Sequence, residues 1–396
     1  MYKYENRLSV NNTKGDKILF ISHFLILLGA LFYTTNEFRI LHYPLLLLGL
    51  FIIYIYTIKI NCIYNNDKSI FLLVSLLFIL MMISTAIDNW SDDLAVMTVG
   101  LYFVMVTVFV LLKNIGGIEK EKIFYNVNLI LVLILVYIPV IFIGISIPYN
   151  GLTYNPNSFG NMTASLYAIF ISIFFVSLEK HKLSTSIVIN TILLALFCFL
   201  SISRTCIFTM LLLTIFFFIF YMKKNINNTK NRVKVWRNIF FSLIGMLVIF
   251  CLIEYSGAYE ILEQKNHRRE SDFTSGRMDI WQAVLSNITY FGLGRNFVDN
   301  FEIGYHNTYI SFLAQFGLIP FIIFLIINFR LLFVSYKYFK KADSIYKGIP
   351  LSLGIAFFMM AFTEGLLMKY SMFAFYLSYA CFSTRLNDYK KVQTDR

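Results

Sequence analysis

The sequence predicts an all-α fold: a single polytopic membrane domain over residues 1–396, a bundle of about twelve transmembrane helices with a large loop between helices nine and ten. Three observations carry this. Hydrophobic residues make up 58% of the 396-residue chain and charged residues only 14%, with a mean hydropathy of +0.68; soluble domains carry about 25% charge. Apolar runs of about 17–25 residues, the length that crosses a hydrocarbon core, recur along the whole chain. Lysine and arginine alternate between rich and poor connections, as they do in multi-pass proteins.

The spans are expected near 17–35, 42–58, 69–86, 94–112, 123–146, 160–178, 184–200, 205–222, 238–255, 318–335, 348–366 and 370–384. The first run is long enough to span and lacks a small-residue cleavage site, so it reads as helix one rather than a signal peptide. With the N-terminus in the cytoplasm and sides alternating, inner segments hold 26 of the 34 Lys and Arg. "KKNINNTKNRVKVWR" (223–237) is the strongest inner loop, and "DNWSDD" (88–93) is an acidic outer turn. Both termini are then cytoplasmic, and a multi-pass membrane protein is expected. The net charge of +12 follows from topology, so the expected partner is the lipid bilayer and nucleic acid is set aside.

Cys62, Cys198, Cys206, Cys251 and Cys381 fall in predicted helices or an inner loop, with no CxxC spacing. No disulfide framework and no metal site are expected. Asp88, Asp92 and Asp93 have no histidine partner and read as a solvated turn.

Residues 256–317 form the one long connection, expected to be an extracytoplasmic loop that carries function. In "RMDIWQAVLSNI" (277–288), Met278, Trp281, Val284, Leu285 and Ile288 share a helical stripe, with Ser275 as N-cap and Asp279 in the first turn. This is a short amphipathic helix, lying on the outer membrane surface or on the bundle. "FGLG" (291–294) breaks it, and "HNTYISFLAQFG" (306–317) reads as a second short helix leading into helix ten.

The inner segments hold 20 Lys and 6 Arg, the outer segments 2 Lys and 6 Arg. Topology does not care which residue supplies the charge; bidentate recognition of phosphate does, and favours arginine. Arg204 lies in "SISRTC" (201–206), a minimal turn where Ser203 can cap the next helix and free N–H groups attract an anion. Snorkelling to headgroups is its structural alternative. Arg277 opens the amphipathic helix, where the dipole disfavours a cation unless an anion is close; Glu270, Asp272 or Asp279 would also serve as that anion. Arg295 sits in "GLGRNF". His306, one of five histidines, is the residue type that exchanges protons near neutral pH; a helix cap is its bland role. Asn157, in "NPNSFGN" (155–161), either meets sugar hydroxyls or closes a turn. Glu364 is an acid placed where charge is costly, unless it pairs with Lys369 or an outer arginine.

"SRT" between two helices, "SGRMDIW", "GLGRNF" and "HNTYISFLAQFGLIPFIIFL" together resemble the bacterial O-antigen ligase and polymerase superfamily. The resemblance covers the topology of the chain and concentrates in 155–161, 201–206 and 275–325. It implies a helical bundle whose large outer loop caps a cavity. It implies a metal-independent and cofactor-free glycosyltransferase moving a glycan from undecaprenyl diphosphate to a hydroxyl. By matching positions, Arg204 and Arg277 correspond to the family's diphosphate-binding arginines and His306 to its catalytic histidine, and the resemblance implies a bacterial inner or plasma membrane. Arg295, otherwise a simple loop residue, is a third candidate for the diphosphate, and Asn307 or Tyr305 would orient the histidine. A chain-length regulator protein is a further partner the resemblance points to.

Two family activities use the same residues. A polymerase of O-antigen or capsular repeat units, the favoured reading, takes the next lipid-linked unit as acceptor. An O-antigen ligase takes lipid A–core. A lipid-linked sugar transporter or flippase, from another class, would call for ionisable residues at mid-membrane and broken, repeated helices. A sensor or structural protein would need no such set of arginines and histidine.

Overall fold

The computed structural model describes residues 2–59, 68–87, 92–112, 120–225, 277–294, 297 and 306–366. Every regular element among them is helical. Ten of the twelve expected spans fall among the described residues, and each overlaps a helix; 238–255 and 370–384 lie outside them. In chain order the helices are α1 (Tyr2–Phe32), α2 (His42–Lys59), α3 (Lys68–Ile87), α4 (Asp92–Val106), α5 (Lys120–Val132), α6 (Ile138–Phe142), α7 (Pro156–Glu179), α8 (Thr185–Leu200), α9 (Arg204–Asn225), α10 (Met278–Ser286), α11 (Thr308–Phe316), α12 (Leu318–Lys341) and α13 (Ile349–Met360).

Seven are long and apolar enough to cross a membrane: Gly15–Phe32, Arg39–Lys59, Ser69–Ile87, Lys120–Phe142, Pro156–Glu179, Arg204–Lys224 and Leu318–Lys341. The spans expected at 184–200 and 348–366 are shorter, at 16 and 12 residues. A 16-residue helix rises about 24 Å against a core of about 30 Å. α8 is delimited by its Ser184 cap and the turn at Ser201, and α13 by the turn that follows Met360.

Two stretches widen into π-helix, Thr107–Leu112 after α4 and Leu133–Tyr137 between α5 and α6. Pro139 follows the second. Proline supplies no N–H and crowds the preceding turn, and a locally wider helix accommodates it without ending the span.

The chain forms two compact units, one from 1–127, 272–342 and 357–396, the other from 128–271 and 343–356. In the first, α1 and α2 pack closely because Gly49 has no side chain: a Cβ there would lie 2.5 Å from Ile26 Cγ1 and 2.8 Å from the Ser22 carbonyl. His42 closes the hairpin, its Nδ1 2.8 Å from the Gly29 carbonyl oxygen. α3 packs against α4, α11 and α12, and Ser84 Oγ donates to the Phe316 carbonyl at 2.8 Å. Lys120, buried at the start of α5, donates to the Leu112 carbonyl at 2.8 Å, meeting the negative end of the preceding helix.

In the second unit α7 is the central element, buried along most of its length between α8 and α9. Tyr167 and Thr214 join α7 to α9 by a 2.7 Å hydroxyl contact. At the C-terminal ends of these helices, Lys224 pairs with Glu179 at 2.6 Å and Lys180 with Asp343. The Lys180 ammonium holds the exposed Asp343 carboxyl below its ordinary range.

Candidate active site

The second unit carries two of the expected site residues on neighbouring turns. Asn155 caps α7, its side chain accepting from the Asn157 N–H at 2.7 Å, and Pro156 supplies a first residue already set for a helix. The Asn157 side chain stays exposed. One turn on, Asn161 is 3% exposed and its Oδ1 has no hydrogen-bond partner. Between them, Gly160 lets α7 meet the 201–206 turn: a Cβ would fall 2.8 Å from Ser203 Cβ and 2.9 Å from Ser201 Oγ.

That turn is tight because Ile202 takes a left-handed backbone, φ 53. Ser201 stabilises it twice, donating to the Cys198 carbonyl at 2.8 Å and accepting from the Ser203 N–H at 3.3 Å. The Ser203 carbonyl accepts from the Ile207 N–H at 3.0 Å, so Ser203 holds the cap position expected for it. Arg204 is the first residue of α9 and half-buried.

The first unit carries the others. Arg277, half-buried, is itself the N-cap of α10, with helical backbone (φ −88, ψ −14) and its carbonyl accepting from Trp281 at 3.0 Å. Ser275, the cap expected from the sequence, lies outside the described residues. The expected stripe is covered in part, at Val284 and Trp281. Ile280 and Val284 are the buried residues, packed with Leu313 and Ala314 of α11, while Met278 and Leu285 are exposed.

Residues 289–293, which run into "FGLG", bind this assembly to the α11–α12 junction through three backbone bonds. The Leu293 N–H donates to Ala314 at 2.7 Å, that of Leu318 to Thr289 at 3.0 Å, and that of Ile319 to Tyr290 at 3.2 Å. Gly292 and Gly317, at φ 98 and 85, face each other across it. A Cβ on Gly317 would lie 2.3 Å from the Gly292 nitrogen.

His306 precedes α11 with a left-handed backbone, φ 42, and a half-exposed side chain. Its Nδ1 lies 3.9 Å from Glu364 Oε2. Asn307 is the α11 cap: its Oδ1 accepts from the Tyr309 and Ile310 N–H groups at 2.9 and 3.1 Å. Thr308, fully buried, donates its hydroxyl to the Glu364 carbonyl at 2.6 Å and accepts from the Leu366 N–H at 3.0 Å, and its own N–H donates to Ala361 at 2.8 Å. Tyr309 extends the junction, its hydroxyl donating to Phe358 at 3.1 Å, and burial holds the phenol well above its usual range.

The structure thus brings His306, Asn307 and Glu364 together in one unit, and Arg204 beside the Asn157 turn in the other. Arg295, Tyr305 and Lys369 lie outside the described residues. Sequence reasoning missed Thr308, whose only signal is a hydroxyl at the first position after a strong cap. Among the described residues no three His, Cys, Asp or Glu side chains gather to hold a metal ion.

The family model described as O-antigen ligase matches residues 189–325. The match runs from α8 through α11 into the first turns of α12. It contains Arg204, Arg277, Arg295, Tyr305, His306 and Asn307, begins after Asn157 and ends before Glu364. No curated relative matches the chain.

Proposed function

We propose, taking as premise a chain that over residues 189–325 carries the O-antigen ligase family's domain, that this protein polymerises polysaccharide repeat units. The donor is a glycan on undecaprenyl diphosphate and the acceptor a sugar hydroxyl of the next lipid-linked unit, at the outer face of the membrane. The observation that carries the reading is the pairing of the half-exposed His306 with Glu364 at 3.9 Å, on a backbone secured by Thr308.

The imidazole of His306 takes the proton of the acceptor hydroxyl. The freed oxygen attacks the anomeric carbon, the glycosidic bond forms, and the bond from that carbon to the diphosphate oxygen breaks with its electron pair. Positive charge developing on the ring faces the Glu364 carboxylate, which at this distance acts as a counter-charge rather than a hydrogen-bond partner. A glycosyl diphosphate is a good leaving group, so the remaining need is for charge on the departing diphosphate to be met. Arg204, Arg277 and Arg295 serve that role in this reading, with the N-terminus of α9 beside Arg204. No metal or cofactor is required, and a single displacement inverts the anomeric centre.

A second reading, transfer of finished polymer to lipid A–core, is favoured by the description of the matching family as a ligase. A deletion strain separates the two. Single repeat units left on the surface, with no ladder restored by His306→Ala, Arg204→Ala or Arg277→Ala at matched membrane levels, support the polymerase. Loss of surface glycan with polymer retained on lipid diphosphate means ligase. Intact ladders in all three variants overturn the site.

A further inference from the structure

α7 and α9 run side by side in the same direction. A Cβ on Gly160 would lie 3.3 Å from the Cys206 Cβ, and further along the Tyr167 hydroxyl meets that of Thr214 at 2.7 Å. At about 100° per residue, Asn161 is turned from this seam by roughly a quarter-turn in one sense and Thr209 by roughly as much in the other. Between parallel helices, opposite turns bring two side chains to the same side of the pair. Ser172, about three turns beyond Asn161 on one face of α7, marks that side: a Cβ on Gly348 would lie 2.9 Å from the Ser172 Cβ and 3.5 Å from Phe217 Cε1.

Both side chains are buried and polar. Asn161 is 3% exposed and Thr209 0%, and among the described residues neither Asn161 Oδ1 nor Thr209 Oγ1 has a hydrogen-bond partner. Thr209 forgoes a bond that its helix offers. A helical threonine can satisfy its hydroxyl on the carbonyl four residues back, and Thr163, Thr191 and Thr214 of the same unit do so at 2.8, 2.7 and 2.8 Å. A polar group left unpaired in the interior costs stability. Two of them on one side of a helix pair call for a partner that brings its own hydrogen-bonding groups.

We propose that Asn161 and Thr209 form a subsite for a sugar residue of the lipid-linked glycan, a proposal that rests on the function read above. The amide oxygen of Asn161 only accepts, so its partner must donate. That excludes an ionised diphosphate and the isoprenoid chain, and selects a sugar hydroxyl. The Thr209 hydroxyl both donates and accepts, which suits a neighbouring hydroxyl of the same ring. Thr209 stands about 7.5 Å along the α9 axis from Arg204, at the same end of the helix.

The test uses the full chain in detergent, with two probes: undecaprenyl diphosphate, and the lipid-linked repeat units recovered from the deletion strain. Asn161→Leu and Thr209→Val are made singly. Each removes a buried polar atom that has no partner, so each should be at least as heat-stable as the parent. Each should bind undecaprenyl diphosphate as the parent does, and the lipid-linked repeat units about fivefold more weakly or worse. Lower heat stability in both variants assigns the two groups to holding the fold and overturns the proposal. Parent-like binding of the repeat units by both overturns it while leaving the proposed function intact. A parent that binds neither lipid removes that function, and the subsite with it. If Asn161→Leu fails to accumulate, Thr209→Val decides.

Discussion

The Thr308 hydroxyl donates a 2.6 Å hydrogen bond to the carbonyl of Glu364, 56 residues along the chain, and accepts one from Leu366. The start of α11 and the turn after α13 are thereby one object, and His306 faces Glu364 because of it. Thr308→Val keeps the shape and deletes both bonds, leaving a buried N–H and carbonyl without partners. The expected cost is about 1–3 kcal/mol, read by thermal denaturation in detergent. Thr308→Ser should restore both stability and glycan length.

Asn307 offers a cleaner separation of cap from catalyst. Its Oδ1 is committed to two N–H groups of α11. Asn307→Asp keeps an accepting oxygen and should retain a glycan ladder, whereas Asn307→Ala should lose about 1 kcal/mol of stability. A ladder abolished by the aspartate variant, at normal protein level, would assign Asn307 to the reaction instead.

Ile280 anchors α10 to α11 and is 3% exposed. Ile280→Ala removes methylenes from a packed cluster and should cost about 2–5 kcal/mol. Leu285→Ala, at an exposed position, should change detergent stability little. Limited proteolysis between α9 and α11 would reveal the first as increased cleavage.

Acid should loosen the 343–348 turn. The Asp343 carboxyl lies below its ordinary value because of Lys180, so its contribution is present above the unfolded pKa and lost as pH falls through the folded one. Hydrogen exchange of that turn should therefore accelerate only in strongly acidic buffer. Asp343→Asn should show the same acceleration at neutral pH. Asp343 is exposed to solvent, so global melting should move little.

Seven of the expected spans were legible because length and hydropathy alone mark a helix long and apolar enough to cross a membrane. Other features were not. α1 begins at Tyr2, well before its apolar run, and no periodicity in polar residues announces that extension. The π turns leave no signature beyond Pro139. In α10 the sequence shows apolar residues on two adjoining faces, and a stripe chosen from them cannot say which face a neighbour covers. The same limit applied to the site. His306, Arg204 and Arg277 stood out by type and position, but the approach of Glu364 to His306 depends on a chain reversal that only the packed α11–α13 junction reveals. Thr308, which makes that reversal, looks ordinary in sequence.

Gly292 and Gly317 bear on how genetic data from this protein would be read. Neither has a functional group, yet the space beside each is filled by backbone, and backbone cannot rotate aside. A saturation screen scored on surface glycan would rank both with His306 as intolerant of every replacement. Quantifying the protein in membranes would divide that list: His306 variants accumulate and fail, whereas Gly317 variants never accumulate.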